Sequence, residues 1–448
     1  MNTQLKHTAI GVLLAVGVVA TLPSHADAGT ANVVTETRPV GAFRNIELAG
    51  PYHVLITAVG KNGVELAGER KQLTDVETVV RGDTLIVRPV SHAGSFFFGF
   101  SKRRDAVTVR ISAIQLKGLK VTGSGDVELD QVNGEQFSVE STGPGNLHGA
   151  GAVRDLTVSS RGSGDVDLHL LKAANVGVKV SGPGEVSLGN ISGELAFDVS
   201  GSGDLTADGL RVNKVTAHLS GPGNARLTGN SRDIRAEVSG SGDLDACGLA
   251  VETANAQLRG PGNACVAGSI RKFEGEVHGS GDLTVNGLQA QSVRLLMSGP
   301  GNARLSGSAQ ELNAELSGSG DLEAGALTVR NATTRSRGPG GVVLASVSDT
   351  LDAELRGSGD MRTAIAGKRL LLKMSGPGDV RIDGNVDTVS AQLSGSGSLD
   401  AHGLLAGQAD VVVRGPGNAV VNVKSKSETK PAQLASSRLV TIDRHGAH

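Results

Sequence analysis

The sequence predicts an all-β chain folded as one right-handed parallel β-helix with coils of 19–20 residues. Three observations predict it. A Gly-Ser-Gly-Asp tag alternates with a Gly-Pro-Gly-Asn tag, sixteen in all between Gly123 and Asn418, with variants at the fourth position. Apolar and polar residues alternate on both sides of each tag, the period of a strand with one buried face. No segment carries the apolar spacing of a helix over useful length. Units of fixed period that each bury an apolar face on the next form a solenoid, and parallel crossovers are right-handed.

Taken in order, residues 1–28 read as an export signal. Lys6 and His7 form the basic start, Ala9 to Leu22 the apolar run and Ala26-Asp27-Ala28 the cleavage site. No later run approaches the roughly 20 apolar residues of a membrane helix. The mature chain is therefore expected to lack a transmembrane segment and to be exported, either periplasmic or secreted to the cell surface.

Residues 29–115 lack the tag but keep the alternation, as in Ile46, Leu48, Tyr52, Val54 and Ile56. A solenoid end exposes unpaired backbone, so this segment is expected to be an N-terminal cap. It contains Phe96-Phe97-Phe98-Gly99-Phe100-Ser101-Lys102-Arg103-Arg104, with half of the chain's eight Phe. The rings either plug the coil core or form an exposed contact loop with a basic collar. The candidate contact residues are Phe96, Phe97, Phe98, Phe100, Lys102, Arg103 and Arg104.

Residues 116–421 form the repeat array. Leu195, Phe197 and Val199 precede the tag at Gly201, and Leu205 and Ala207 follow it. Ile234, Ala236 and Val238 precede the tag at Gly240. Each coil is expected to hold two good strands and a weaker third, separated by glycine turns. At about 4.8 Å per coil the array makes a rod roughly 75 Å long. Pro at the second tag position and Gly at the third predict a type II turn, the Gly taking a positive φ. Residues 422–448 are rich in Lys, Ser and Glu and read as a tail, with a short strand near Leu439-Val440.

The alternation of tag types has an electrostatic reading. Fourth positions run Asp204, Asn224, Asp243, Asn263, Asp282, Asn302, Asp321. Three residues before the tag the outward position runs Lys179, Asp198, His218, Glu237 and onward with acids in the Ser-type coils. Equivalent side chains lie about 4.8 Å apart in a parallel stack, where like charges repel by roughly 1 kcal/mol even in water. Alternation avoids this and lets an Asn amide donate to a neighbouring Asp. A calcium ladder is the competing reading, but Ca²⁺ takes six to eight oxygens and acids occur only in every second coil.

Composition narrows function. The net charge of −2 gives no support to nucleic acid as partner. Trp is absent and Tyr52 is the single Tyr, which counts against the aromatic stacking platforms used for bases and sugars. Cys247 and Cys265 are the two cysteines, and in an oxidising compartment they are a candidate disulfide, although they sit two positions out of register. An active site on a repeat scaffold is expected to show as a local cluster of breaks. The breaks are Glu185, Gly341, Asp379 and Ser398 at the fourth tag position, the polar coil Thr334–Ser336 and the tract Lys368-Arg369, scattered over many coils. The histidines fall at different offsets without metal-ligand spacing. No catalytic, metal or cofactor site is expected.

The segments Phe43-Arg44-Asn45-Ile46-Glu47-Leu48, Tyr52-His53-Val54 and Gly82-Asp83-Thr84-Leu85-Ile86-Val87, with the repeated Ser-Gly-Ser-Gly-Asp-Leu, resemble the GIN domain over about residues 35–420. That family comprises exported bacterial proteins described as autotransporter adhesin heads. The resemblance implies a β-helical fold, an exported location and no known catalytic residues. The expected function is a non-enzymatic structural or adhesin-like surface at the cell envelope, contacting an envelope protein or a glycan, with end-to-end self-association open to it. The alternative is a carbohydrate-active or polysaccharide-binding protein on the same scaffold.

Overall fold

The computed structural model describes residues 33–58, 60–90, 107–424, 437–443 and 446–447. The expected signal at 1–28 and the segment Phe96–Arg104, the candidate contact residues, lie outside the described residues. Inward-facing apolar residues form one continuous core along the array. In one coil Leu205, Ala207, Leu210, Val212, Val215, Ala217 and Leu219 are all buried. They stack in register on the next coil, with Val215 opposite Ile234, Ala217 opposite Ala236 and Leu219 opposite Val238. The result is a parallel β-solenoid of about 15 turns.

Each coil is simpler than two strands and a weaker third. From Leu205 the chain stays in strand to Leu219, and from Ala225 to Val238, as a single run of 15 or 14 residues. The expected break is a corner within the strand, where the parallel ladder shifts register, for example between Ala207 and Leu210. Positive φ values collect at that corner: Gly209 at 65°, Gly229 at 120°, Gly307 at 121° and the non-glycine Asn190 at 55°. At the glycine corners backbone pairing continues, so the glycine bends the strand without ending it; at Asn190 the strand is interrupted, between Gly189 and Ile191.

The tag is also not a type II turn, because no tag glycine from Gly123 onward has a φ in the left-handed region. Its glycines answer to a different constraint. A Cβ on Gly143 would lie 2.1 Å from the carbonyl oxygen of Gly123, and one on Gly145 2.2 Å from that of Gly125. The tag backbones stack directly on each other, with Gly223 N–H donating to Gly201 O at 3.0 Å and Gly242 N–H to Gly221 O at 3.0 Å. Glycine is needed here for backbone approach, not for turn conformation.

The stack begins before the first full tag. Strand β1 (Val33–Arg38) is followed by β2 (Asn45–Leu48) and β3 (His53–Thr57), joined through Gly50-Pro51. Gly50 sits directly under the tag column, since Gly125 N–H donates to Gly50 O at 3.2 Å. The chain then leaves the stack through β4 (Gly63–Glu69), the short helix α1 (Arg70–Thr74) and β5 (Val76–Arg81), and lays β6 (Thr84–Pro89) and β7 (Thr108–Ser112) against the outer side of β2 and β3. It returns in β8 (Gly118–Val121) and β9 (Val127–Ser141). β2 pairs with both β6 and β8, and β3 with both β7 and β9, all parallel. On the outer side the pairing becomes antiparallel, β1 on β4, β4 on β7 and β5 on β6. At the other end Ser437–Asp443 runs antiparallel on Ala419–Lys424.

Candidate functional site

Two outward columns beside the tag show what the regular rod does and where it stops doing it. In the first column most fourth-position side chains cap the coil that follows; before Asp321 the exception is Glu185, which lies between Asp165 and Asp204 and bonds hydroxyls instead. Asp204 Oδ1 accepts the Asn224 N–H at 2.7 Å, and Asn224 Oδ1 accepts the Asp243 N–H at 2.9 Å. The amides of Asn224, Asn263 and Asn302 also donate to Asp204, Asp243 and Asp282, each at 3.1 Å. These carboxylates are occupied by the protein itself. Among the described residues no group of three His, Cys, Asp or Glu side chains is arranged to hold a metal ion.

The column changes after Asp321. Asp321 Oδ1 still accepts the Gly341 N–H at 2.7 Å, but Gly341 has no side chain to pass to Asp360. Asp360 then accepts the Asp379 N–H at 2.8 Å, and Asp379 the Ser398 N–H at 2.9 Å. Two carboxylates thus occupy successive coils with no Asn between them.

The second column lies two residues further along each strand. Its regular part pairs opposite charges, as in Arg226 with Asp245 at 3.4 Å and Arg304 with Glu323 at 2.6 Å. Beyond Glu323 come Val343, 39% exposed, and then Arg362 opposite Arg381 in register. Arg381 reaches Asp383 at 3.7 Å, whereas Arg362 forms no ion pair among the described residues. Asp400 ends the run, its carboxyl held below the usual range by hydrogen bonds from the His402 side chain and backbone. Like charges at about 4.8 Å cost roughly 1 kcal/mol in water. Both columns break the pairing rule in the same two coils.

Between the columns runs an open groove of about 930 Å³, from Asn286 and Arg304 to Ser398 and Asp400. The small residues Gly325, Ala326 and Gly341 widen it. Three of the four fourth-position breaks, Gly341, Asp379 and Ser398, therefore come together, where sequence reading had them scattered. Glu185 stands apart and accepts the hydroxyls of Ser187 at 3.2 Å and Thr206 at 3.3 Å. Lys368 also lies elsewhere, beside Asp349. Sequence reasoning missed Gly325, Val343, Arg362 and Arg381. Reading the second column coil by coil for unpaired like neighbours would have found Arg362 and Arg381.

Other predicted positions fall outside the groove. Thr334 and Ser336 point into the core, and their hydroxyls have no hydrogen-bond partner. Cys247 and Cys265 are bridged, with Cα atoms 5.3 Å apart. Their offset is absorbed by the corner, because Cys247 lies in the register shift between Ala246 and Ala250. His148 and His169 flank Asp167. Burial pushes the Asp167 carboxyl up, but the His169 and His148 hydrogen bonds outweigh it and leave the group below its ordinary value.

A family model described as "Putative auto-transporter adhesin, head GIN domain" matches residues 42–228, 191–287, 267–364 and 347–432. The chain belongs to the GIN-domain family. No curated protein matches it. Solved structures similar to this GIN-domain chain include a "putative adhesin" from Bacteroides fragilis NCTC 9343, at 21% identity and a TM-score of 0.34, covering 57% of this chain and 96% of that one. A "putative adhesin" from Parabacteroides distasonis ATCC 8503 is 17% identical, covers 66% of this chain and 98% of its own, with a TM-score of 0.34. A "putative lipid binding protein" from the same organism is 16% identical, covers 66% and 97%, with a TM-score of 0.32.

Proposed function

We propose that this GIN-domain chain is an exported, non-enzymatic rod that serves as an adhesin-like contact surface at the cell envelope. The observation that carries the reading is the groove from Asn286 to Asp400. It leaves Asp360, Asp379, Arg362 and Arg381 in like-charged neighbours in two adjacent columns of the same coils, whereas the acidic run Asp165, Glu185 and Asp204 has no basic pair beside it. Elsewhere the rod's outward columns use their charges on each other, as Arg335 does with Glu354 at 3.3 Å and His218 with Glu237 at 3.6 Å. A surface that spends stability on unmatched groups suits contact with something outside the chain. Family membership supports the same reading.

The test is retention of the purified full chain on whole cells and on isolated envelope, with the supernatant assayed for released fragments. Retention without product supports the reading. Product release overturns its non-enzymatic half, and absence of retention overturns the adhesive half. Protease accessibility in intact producing cells tests the exported surface location, and complete protection would place the rod inside.

A further inference from the structure

We propose that the groove binds an uncharged polysaccharide laid along the rod axis, a ligand class that rests on the adhesin-like reading above. The first support is steric. A tag glycine admits no Cβ, yet a Cβ on Gly341 would meet nothing nearer than Asp321 Oδ1 and Asp360 O, both at 3.5 Å. A Cβ on Gly325 would meet only the Val343 side chain, at 3.6 Å. Neither residue has a left-handed φ. Nothing in the backbone demands glycine at either place, and at Gly341 the regular repeat carries Asn. What the two glycines provide is room.

The second support is the chemistry of the walls. Asp360-Met361-Arg362 and Asp379-Val380-Arg381 present the same pair, a carboxylate followed two residues later by a guanidinium, on successive coils. A hydroxyl group is both donor and acceptor. One sugar hydroxyl can donate to the carboxylate while its neighbour accepts from the guanidinium, and hydrogen bonds to charged partners are about twice as strong as neutral ones. The pairs recur at the coil spacing of about 4.8 Å, so the site repeats along the axis as a polymer does. Exposed Val343 on the groove wall offers an apolar patch to the C–H face of a sugar ring.

The charges select against charged chains. An anionic polymer meets Asp321, Asp360 and Asp379, and a cationic one meets Arg362 and Arg381. With no aromatic residue lining the groove, each sugar is held by hydrogen bonds, with Val343 as the small apolar contact. Useful affinity then comes from several coils engaging one chain at once.

The experiment is affinity electrophoresis of the full chain in native gels containing dextran, mannan, xylan or laminarin, with alginate as the anionic comparison. Retardation is expected in at least one neutral gel and not in alginate. Gly341→Asn and Asp379→Asn restore the regular repeat. Each is expected to melt at or above the wild-type temperature yet to lose retardation at least tenfold. Arg362→Gln is expected to lose it as well. No retardation by any of the four, equal retardation by alginate, or full retardation of the restored variants overturns the proposal. Cell retention of the same variants separates the two readings. Wild type and Gly341→Asn held equally on cells sinks the groove but leaves the adhesin. Retardation by a neutral polysaccharide without cell retention does the reverse.

Discussion

Asn224 makes two hydrogen bonds to one oxygen of Asp204, through its backbone N–H at 2.7 Å and its side-chain amide at 3.1 Å. Its own Oδ1 passes the pattern on by accepting the Asp243 N–H at 2.9 Å. An Asp in place of Asn224 keeps the outgoing bond but loses the amide donor and faces a second carboxylate. The repulsion is about 1 kcal/mol per interface and is screened by salt. The triple variant Asn224→Asp, Asn263→Asp, Asn302→Asp is expected to melt several degrees lower at low salt, with the difference narrowing as salt is added. A melt series across ionic strength checks it, and equal melting at all salts refutes the ladder.

Glycine substitutions should split into two classes. A Cβ on Gly242 would lie 1.9 Å from the Gly223 carbonyl oxygen, inside the tag stack. Gly242→Ala must push two coils apart, and a loss of about 3 kcal/mol or more is expected, at the upper end of overpacking. Gly341→Ala meets only ordinary contacts and should leave stability within about 0.5 kcal/mol of wild type. Hydrogen exchange around each site reads both. Similar loss of protection in the two variants contradicts the backbone-approach account.

The coil period, the inward residues and the role of the Asn amides were legible in the sequence, because stacking converts a one-dimensional repeat directly into columns. Turn geometry was not. Gly-Pro-Gly-Asn carries the composition of a type II turn, yet the requirement on Gly143 and Gly145 comes from a neighbouring coil some 20 residues away. The same blindness hid Gly50 as the start of the tag column, since it lacks the tag's second glycine. The groove was half visible. Gly341, Asp379 and Ser398 stand out against the tag, but Arg362 and Arg381 break a rule that is evident only once the second column is aligned.

The coil that carries Gly341 is also weak inside. Thr334 and Ser336 bury hydroxyls without partners, in columns where adjacent coils place Ala314 and Ala353, or Leu316 and Leu355. An unsatisfied buried hydroxyl costs on the order of 1 kcal/mol or more. Thr334→Val is nearly isosteric and is expected to stabilise the chain by about 1 kcal/mol, raising hydrogen-exchange protection across 331–341. Lower protection would mean that the hydroxyl is bonded after all.

The Cys247–Cys265 bridge closes a segment of sequence separation 18. Loop-closure entropy for such a span is about 3 kcal/mol. In a solenoid, where each coil contacts only its neighbours, reduction should loosen the two bridged coils rather than the whole rod. Hydrogen exchange with and without reductant is expected to show faster exchange within 244–277 and little change near 350–400. A Cys247→Ser, Cys265→Ser variant should match the reduced protein. Uniform loosening along the array would argue against nearest-neighbour stability.

Tyr52 gives a pH test with a single reporter. Burial, reinforced by the Asp75 carboxylate, pushes its phenol from 10.0 up to about 12. The folded value lies above the unfolded one, so the contribution to stability is complete below about 10. It is then lost as pH rises toward the folded value, because the unfolded state releases the proton first. As the chain has no other tyrosine, tyrosinate absorbance reports this group alone. The native protein should titrate near 12 and the protein in denaturant near 10. Tyr52→Phe should flatten the alkaline fall in stability between those limits, and an unchanged alkaline slope in that variant would show that the N-terminal segment is held by something other than the buried phenol.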